Sequence, residues 1–127
     1  MDTRKKLAEM QEDEMSLNIT SSSAQERKNT PVYHGVLMYF PDAIREVAKC
    51  SHAGNNQHHS DKPLHWDRSK SGDELDALTR HLLEAGSTDT DGVKHSAKVA
   101  WRALANLQKE LEAEGKAPLS KYNNKNK

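Results

Sequence analysis

The sequence predicts an all-α fold, a bundle of three to four helices completed by oligomerisation, on three observations. Ser71 to Gln108 holds two helical patterns joined by a tight connection, the arrangement of a helical hairpin. A third helical pattern follows Pro41. The composition, 34% hydrophobic against 30% charged over 127 residues, leaves little apolar material for a monomeric core, so self-association is expected.

In chain order, residues 2–15 can form a charged helix, whereas Ser21-Ser22-Ser23 and the polar residues up to Thr30 lack periodicity and read as linker. Residues 1–30 are therefore expected to be a mobile polar segment with a possible short helix, 31–114 the helical domain, and 115–127 a disordered polar tail. Pro41 suits the first turn of a helix in which Ala43, Ile44, Val47 and Ala48 form one apolar face to about His52, with Gly54 able to end it. Asp42, Glu46 and Lys49 gather on the opposite face, so Glu46 is either solvated or aimed at a site; for Glu46 taken alone, solvation is the better reading. Asn55 to Lys70 is a polar loop of roughly sixteen residues, longer than the usual connection in a compact domain. Trp66 within it either packs into the core or contacts a ligand.

Ser71 followed three residues later by Glu74 reads as a capping box opening a helix of about four turns, and Gly86 is the glycine expected just past its end. Leu75, Ala77, Leu78, Leu82 and Ala85 define its apolar side; Asp73, Asp76, Arg80 and Glu84 gather on the other, with Glu74 and His81 near the edge. The linker Ser87 to Gly92 is rich in caps, and Asp89 or Asp91 can cap a helix from Val93 to about Glu112. Its seam is Val93, Ala97, Ala100, Leu104, Leu107 and Leu111, with Trp101 at the edge. His95, Arg102 and Asn106 lie on another face, so this helix is open to contact on two sides.

Nineteen acidic and nineteen basic residues balance, which disfavours duplex nucleic acid and anionic membranes as partners. The amino terminus, MDTRKKLAEMQEDEM, lacks the apolar middle of a signal peptide, and the longest apolar runs are a few residues, so a cytoplasmic protein is expected. Cys50 is the sole cysteine, which excludes an internal disulfide; it reads as a small half-buried residue in preference to a nucleophile. No Walker loop, GxGxxG, CxxC or GxSxG occurs. What remains is a set of carboxylates, imidazoles and cations on three helices, the residue types that metal-assisted phosphate chemistry needs. Taken singly, the acidic face is more often a solvated salt-bridge face, and a lone His81 more often a satisfied half-buried residue.

The segments PDAIREVAKCSHAGNNQHH, PLHWDRSK and DALTRHLLEAGSTDTDGVKHSAKVAWRALANLQ resemble the phage dATP/dGTP diphosphohydrolase family of MazZ-type enzymes. The likeness spans roughly Pro31 to Gln108 and is most specific at Asp76-Ala77-Leu78 with Arg80-His81-Leu82, at Asp91-Gly92 with His95, and at Ala100 to Leu104. Through that family the chain is similar to the all-α nucleoside triphosphate pyrophosphohydrolases of the MazG-like group, which cut between the α and β phosphates and form dimers or tetramers. The resemblance implies a purine deoxynucleoside triphosphate as substrate, Mg²⁺ or Mn²⁺ as cofactor and a homo-oligomer, in phage nucleotide metabolism. It further implies Glu46, Asp76 and Asp91 as metal ligands, His81, Arg80 and His95 as the catalytic set, and Lys49, Trp66 and Arg102 as substrate contacts. Where the broader group relies on pairs of carboxylates three residues apart on two helices, this chain has Asp42 and Glu46 four apart, Asp73 and Asp76 three apart, and histidines nearby. The competing reading, from a different class, is a non-catalytic helical binding module.

Overall fold

The computed structural model describes residues 23–59, 61–68 and 72–115. Their regular structure is helical: α1 (Ala24–Asn29), a π-helical turn (Tyr33–Leu37), α2 (Pro41–His59), α3 (Glu74–Leu82) and α4 (His95–Ala113). Among these residues the sheet-like contact is one isolated antiparallel bridge, Thr88 to Lys94, so the all-α class holds. None of the described helices is long and apolar enough to cross a membrane. The described residues divide into two compact units, 40–107 and 23–39 with 108–115.

In the second of these, Ala24–Asn29 is helical where the sequence reads as linker. The cause is local: Ser23 Oγ accepts the Glu26 N–H at 3.2 Å, satisfying a donor that a helix start otherwise leaves open. Ser23-x-x-Glu26 is itself a capping pattern, hidden because no apolar period follows it. After Pro31 the chain makes a wide turn in which Met38 N–H reaches Tyr33 O at 2.8 Å. Gly35 lets the chain pass close there, since a Cβ would stand 3.1 Å from Pro31 Cγ, a tight contact.

The unit 40–107 carries α2, α3 and the larger part of α4. Helix α2 does not end near Gly54 but runs on to His59. A glycine inside a helix costs about 1 kcal/mol, and the polar residues after it compensate. Asn56 Nδ2 sits 3.0 Å from His52 Nε2 one turn back, and Asn55 Nδ2 donates to Lys62 O at 3.2 Å, tying the following loop to the helix. Helix α3 is nine residues long, shorter than expected. Ser71, and with it the expected capping box, lies outside the described residues; the Glu74 carboxylate is buried and bonded to Arg102. Beyond Leu82 the backbone tightens to bonds three residues apart, Glu84 to His81 and Ala85 to Leu82, and Gly86 follows at a φ of 97°.

The expected hairpin is present. His95 N–H donates to Ser87 O at 3.1 Å and Asp89 N–H to Val93 O at 2.9 Å, so the connection is braced across its width. Gly92, at a φ of 82°, makes the reversal, and Asp91 Oδ1 accepts the Val93 N–H at 3.0 Å.

The seam within this unit keeps Ala77, Val93 and Ala97 from the apolar faces read from the sequence but not their exposed leucines. Ala77, Val93, Ala97 and Ala105 are the buried apolar residues, joined by Glu74 and His95, whereas Leu75, Leu82, Leu104 and Leu107 are more than half exposed. Arg102 reaching Glu74 and His95 reaching His81 turn the second face of α4 toward α3, and small residues let the two helices approach closely. A larger side chain is poorly accommodated there. Ala97→Leu is expected to lower the unfolding free energy by about 1–3 kcal/mol, visible as a reduced urea midpoint at unchanged helix content.

Candidate functional site

Three elements meet at one point. The last turn of α3 presents His81, the braced connection presents Asp89, and the first residue of α4 is His95. One potential ligand atom from each of the three lies within 4.8 Å of the others. His81 Nδ1 and His95 Nδ1 are 2.9 Å apart, with ring centroids at 5.1 Å. The His95 side chain is 7% exposed and turns Nε2 toward Glu84 Oε2 at 3.3 Å.

A hydrogen bond between two Nδ1 atoms needs one protonated nitrogen and one lone pair. His95 Nε2 stands at ion-pair distance from the Glu84 carboxylate, which favours the proton on that nitrogen, and the matching arrangement has His81 Nδ1–H as donor. Burial, followed by the positive charge of Lys98 and by His95, holds the His81 pKa below the ordinary histidine value. His81 therefore favours the fold in its neutral form. That contribution is complete above the ordinary value of about 6.5 and is lost as pH falls below it.

Lys98, one turn into α4, places Nζ 2.7 Å from both Asp89 Oδ2 and Asp91 Oδ2, and its side chain is 17% exposed. The hydrogen bond from Lys98, with the Thr90 N–H on Asp89 Oδ1 at 2.7 Å, takes the Asp89 pKa down to about 2. For Asp91, burial pushes the pKa up, but the bonds from Lys98 and the Val93 N–H outweigh it and the net direction is down. For Lys98, burial works against the charged form, and the two carboxylates outweigh it to raise the pKa. From α2, Gln57 Nε2 approaches Asp91 Oδ2 at 3.4 Å.

A second layer backs this cluster. Arg102 Nη1 holds the buried Glu74 carboxylate at 2.8 Å, with its guanidinium 5.4 Å from the Trp101 ring. Trp101 Nε1 donates to Ser51 Oγ at 2.9 Å and so links α4 to α2. Trp66 meets Trp101 edge-on at 5.7 Å, and the Arg68 guanidinium lies 3.8 Å above the Trp66 ring. The half-buried Cys50 thiol has its pKa pushed up by burial, which suits a packing residue and not a nucleophile.

A family model described as dATP/dGTP diphosphohydrolase, N-terminal, matches residues 21–118. The chain belongs to this family. No curated protein and no solved structure matches it.

Within this dATP/dGTP diphosphohydrolase N-terminal domain the residues singled out from the sequence separate into two groups. His81 and His95 are in contact, and Asp91 and Asp89 share Lys98 beside them. Arg102 stands on the same helix one turn beyond Lys98. The others lie apart in ion pairs or on the surface: Glu46 bonds Lys49 at 2.8 Å, which lowers the Glu46 pKa, and Arg80 bonds Asp73 at 3.1 Å. Asp76 is exposed. Among the described residues, Glu46, Asp76 and Asp91 do not form a set of three ligands in mutual reach; His81, Asp89 and His95 do. Sequence reading took Asp89 only as a helix cap and did not single out Lys98. Asp89 falls on no helical period with the histidines, since the turn at Gly92 is what brings it to them, whereas Lys98 stands three residues after His95 on α4. The donor set also carries chemical information. Two imidazoles and one carboxylate suit a borderline transition ion, whereas Mg²⁺ prefers oxygen ligands throughout.

Proposed function

We propose that the chain hydrolyses purine deoxynucleoside triphosphates, dGTP or dATP, to the monophosphate and pyrophosphate in a metal-dependent reaction. The observation that carries this reading is the family match across residues 21–118, which contain the imidazole, carboxylate and lysine cluster. Water adds at the α-phosphorus, the bond from that phosphorus to the α,β-bridging oxygen breaks, and pyrophosphate leaves with the bridging oxygen. A Mg²⁺ or Mn²⁺ ion, when bound, supplies positive charge to the phosphates and makes water more acidic. Mg²⁺ is commonly held by one or two carboxylates together with substrate phosphates, and Glu46, Asp76 and Asp91 are the carboxylates proposed to supply them. His81 and His95 complete the surroundings of the reacting phosphate.

Arg80 and Lys49 are the proposed phosphate contacts. Both sit in exposed, solvent-screened ion pairs, for which a polyanionic triphosphate competes readily. Arg102 is tied to a buried carboxylate and acts by fixing α3 against α4 while adding positive potential. One face of Trp66 is covered by Arg68, so Trp66 fits sealing the pocket better than open stacking on a purine. A homo-oligomer in the host cytoplasm is part of the proposal, because the exposed leucines of α3 and α4 are apolar surface that a second copy would cover. So is a place in phage nucleotide metabolism, including supply of dGMP for 2-aminoadenine synthesis.

Pyrophosphate release from each of the four dNTPs, with Mg²⁺, with Mn²⁺ and with chelator, tests the reading. Turnover of dGTP or dATP that disappears with chelator is the expected result. No release from any of the four would leave the helical binding module as the better account.

A further inference from the structure

We propose that His81, Asp89 and His95 form a protein-only site for a six-coordinate first-row transition ion of the Fe²⁺ or Co²⁺ kind, occupied without nucleotide and closed to Mg²⁺. The inference stands on the geometry of these side chains and does not rest on the hydrolase reading.

Three features support it. The first is the spacing of the imidazoles. Two nitrogens each about 2.05 Å from one ion are about 2.9 Å apart at a right angle and about 3.3 Å apart at the tetrahedral angle. The observed separation of His81 Nδ1 and His95 Nδ1 is 2.9 Å, an ordinary hydrogen-bond length that also matches the right-angle bite, so the two nitrogens need little movement to share an ion. The second is the partner of the remaining nitrogen. A metal-bound histidine generally donates its other ring N–H to a carboxylate or carbonyl, which fixes the ring and makes the ligating nitrogen more basic. His95 Nε2 stands 3.3 Å from the Glu84 carboxylate, at ion-pair distance and near enough to become such a partner, while Nδ1 faces the cluster. The third is the reach of Asp89: the 4.8 Å span of the three groups leaves only a small inward movement to a common ion.

Two histidines and one carboxylate with further positions open are the donor set of ions that accept imidazole, and a poor one for Mg²⁺. The proton between the two Nδ1 atoms is no obstacle, because it moves to His81 Nε2 when the ring changes tautomer. Lys98 competes for Asp89 but has a second carboxylate, Asp91, already at 2.7 Å, on which it can remain.

The test is a Co²⁺ titration of the untagged full chain without nucleotide, followed by proton NMR. Coordination through both Nδ1 atoms leaves an N–H on Nε2 of each ring, so two exchangeable, paramagnetically shifted signals are expected. They should number one pair per chain, persist in excess Mg²⁺ and vanish with Zn²⁺. His81→Ala should remove one or both, with helix content checked by circular dichroism. Asp89→Asn should weaken Co²⁺ binding at least tenfold, and Lys98→Met, which removes the competing ammonium, should tighten it. The site is ruled out if no shifted signals form, if both survive in His81→Ala, or if Mg²⁺ displaces them. Because each readout is taken without nucleotide, failure here leaves the hydrolase reading standing, and failure of pyrophosphate release leaves the site standing.

Discussion

His81→Ala is expected to release pyrophosphate from dGTP or dATP at least about 100-fold more slowly than the parent, the loss usual for a group acting directly at the reacting centre. The residue contacts His95 Nδ1 at 2.9 Å and belongs to the one cluster of three potential metal ligands among the described residues. Its removal leaves the buried His95 without that partner, which adds a stability loss of about 1–3 kcal/mol. His81→Asn separates the two effects. An asparagine amide can still donate toward His95, so stability should recover while turnover stays low. Parent-like turnover in His81→Ala, at matched helix content, would remove His81 from the machinery.

Lys98→Met is expected to lower the unfolding free energy by about 2–3 kcal/mol, less than the 3–5 kcal/mol of a fully buried pair because solvent still reaches the site. The lysine bonds two carboxylates whose side chains are 26% and 14% exposed, and without it they face each other with no cation between them. The urea midpoint reads the loss, and the triple change with Asp89→Asn and Asp91→Asn should recover part of it. Acid unfolding gives the sign. Asp89 has its folded pKa depressed to about 2, so its contribution is full above the ordinary aspartate value of about 4 and is lost as pH falls toward about 2. In Lys98→Met that acid-dependent loss should be smaller. A stability unchanged from the parent at neutral pH would mean the ion pair is exchanged with water at little cost.

The hairpin was legible because its signals are local: a glycine after α3, caps in the connection, and a helical period from Val93. The pairing of faces was less so. Leucines at helical spacing point to a core, yet Leu104 and Leu107 are exposed while Ala97 and Ala105 are buried, because Glu74 with Arg102 and His81 with His95 rotate the contact toward a polar face. That His95 and Arg102 lie off the apolar seam was visible, but which of two faces meets α3 is a tertiary choice. His81 and His95 were found through motif likeness, whereas Asp89 and Lys98 are joined by a reversal at Gly92 that no periodic count registers. Glu46 was first read as solvated or site-directed, and its bond to Lys49 three residues on is what the helix spacing alone allows.

The connection between α3 and α4 has one more property. Its backbone is tied to itself at Ser87 with His95 and at Asp89 with Val93, so Asp89 is positioned by the number of residues in the turn as much as by their identity. It behaves like a fixed-length spacer. Polar substitutions at the exposed Thr90 should be absorbed, whereas inserting or deleting one residue between Asp89 and Val93 would slide the aspartate past the histidines. Length variation in this protein is therefore better placed between Asp61 and Leu64, whose side chains are exposed and which lie outside the cluster.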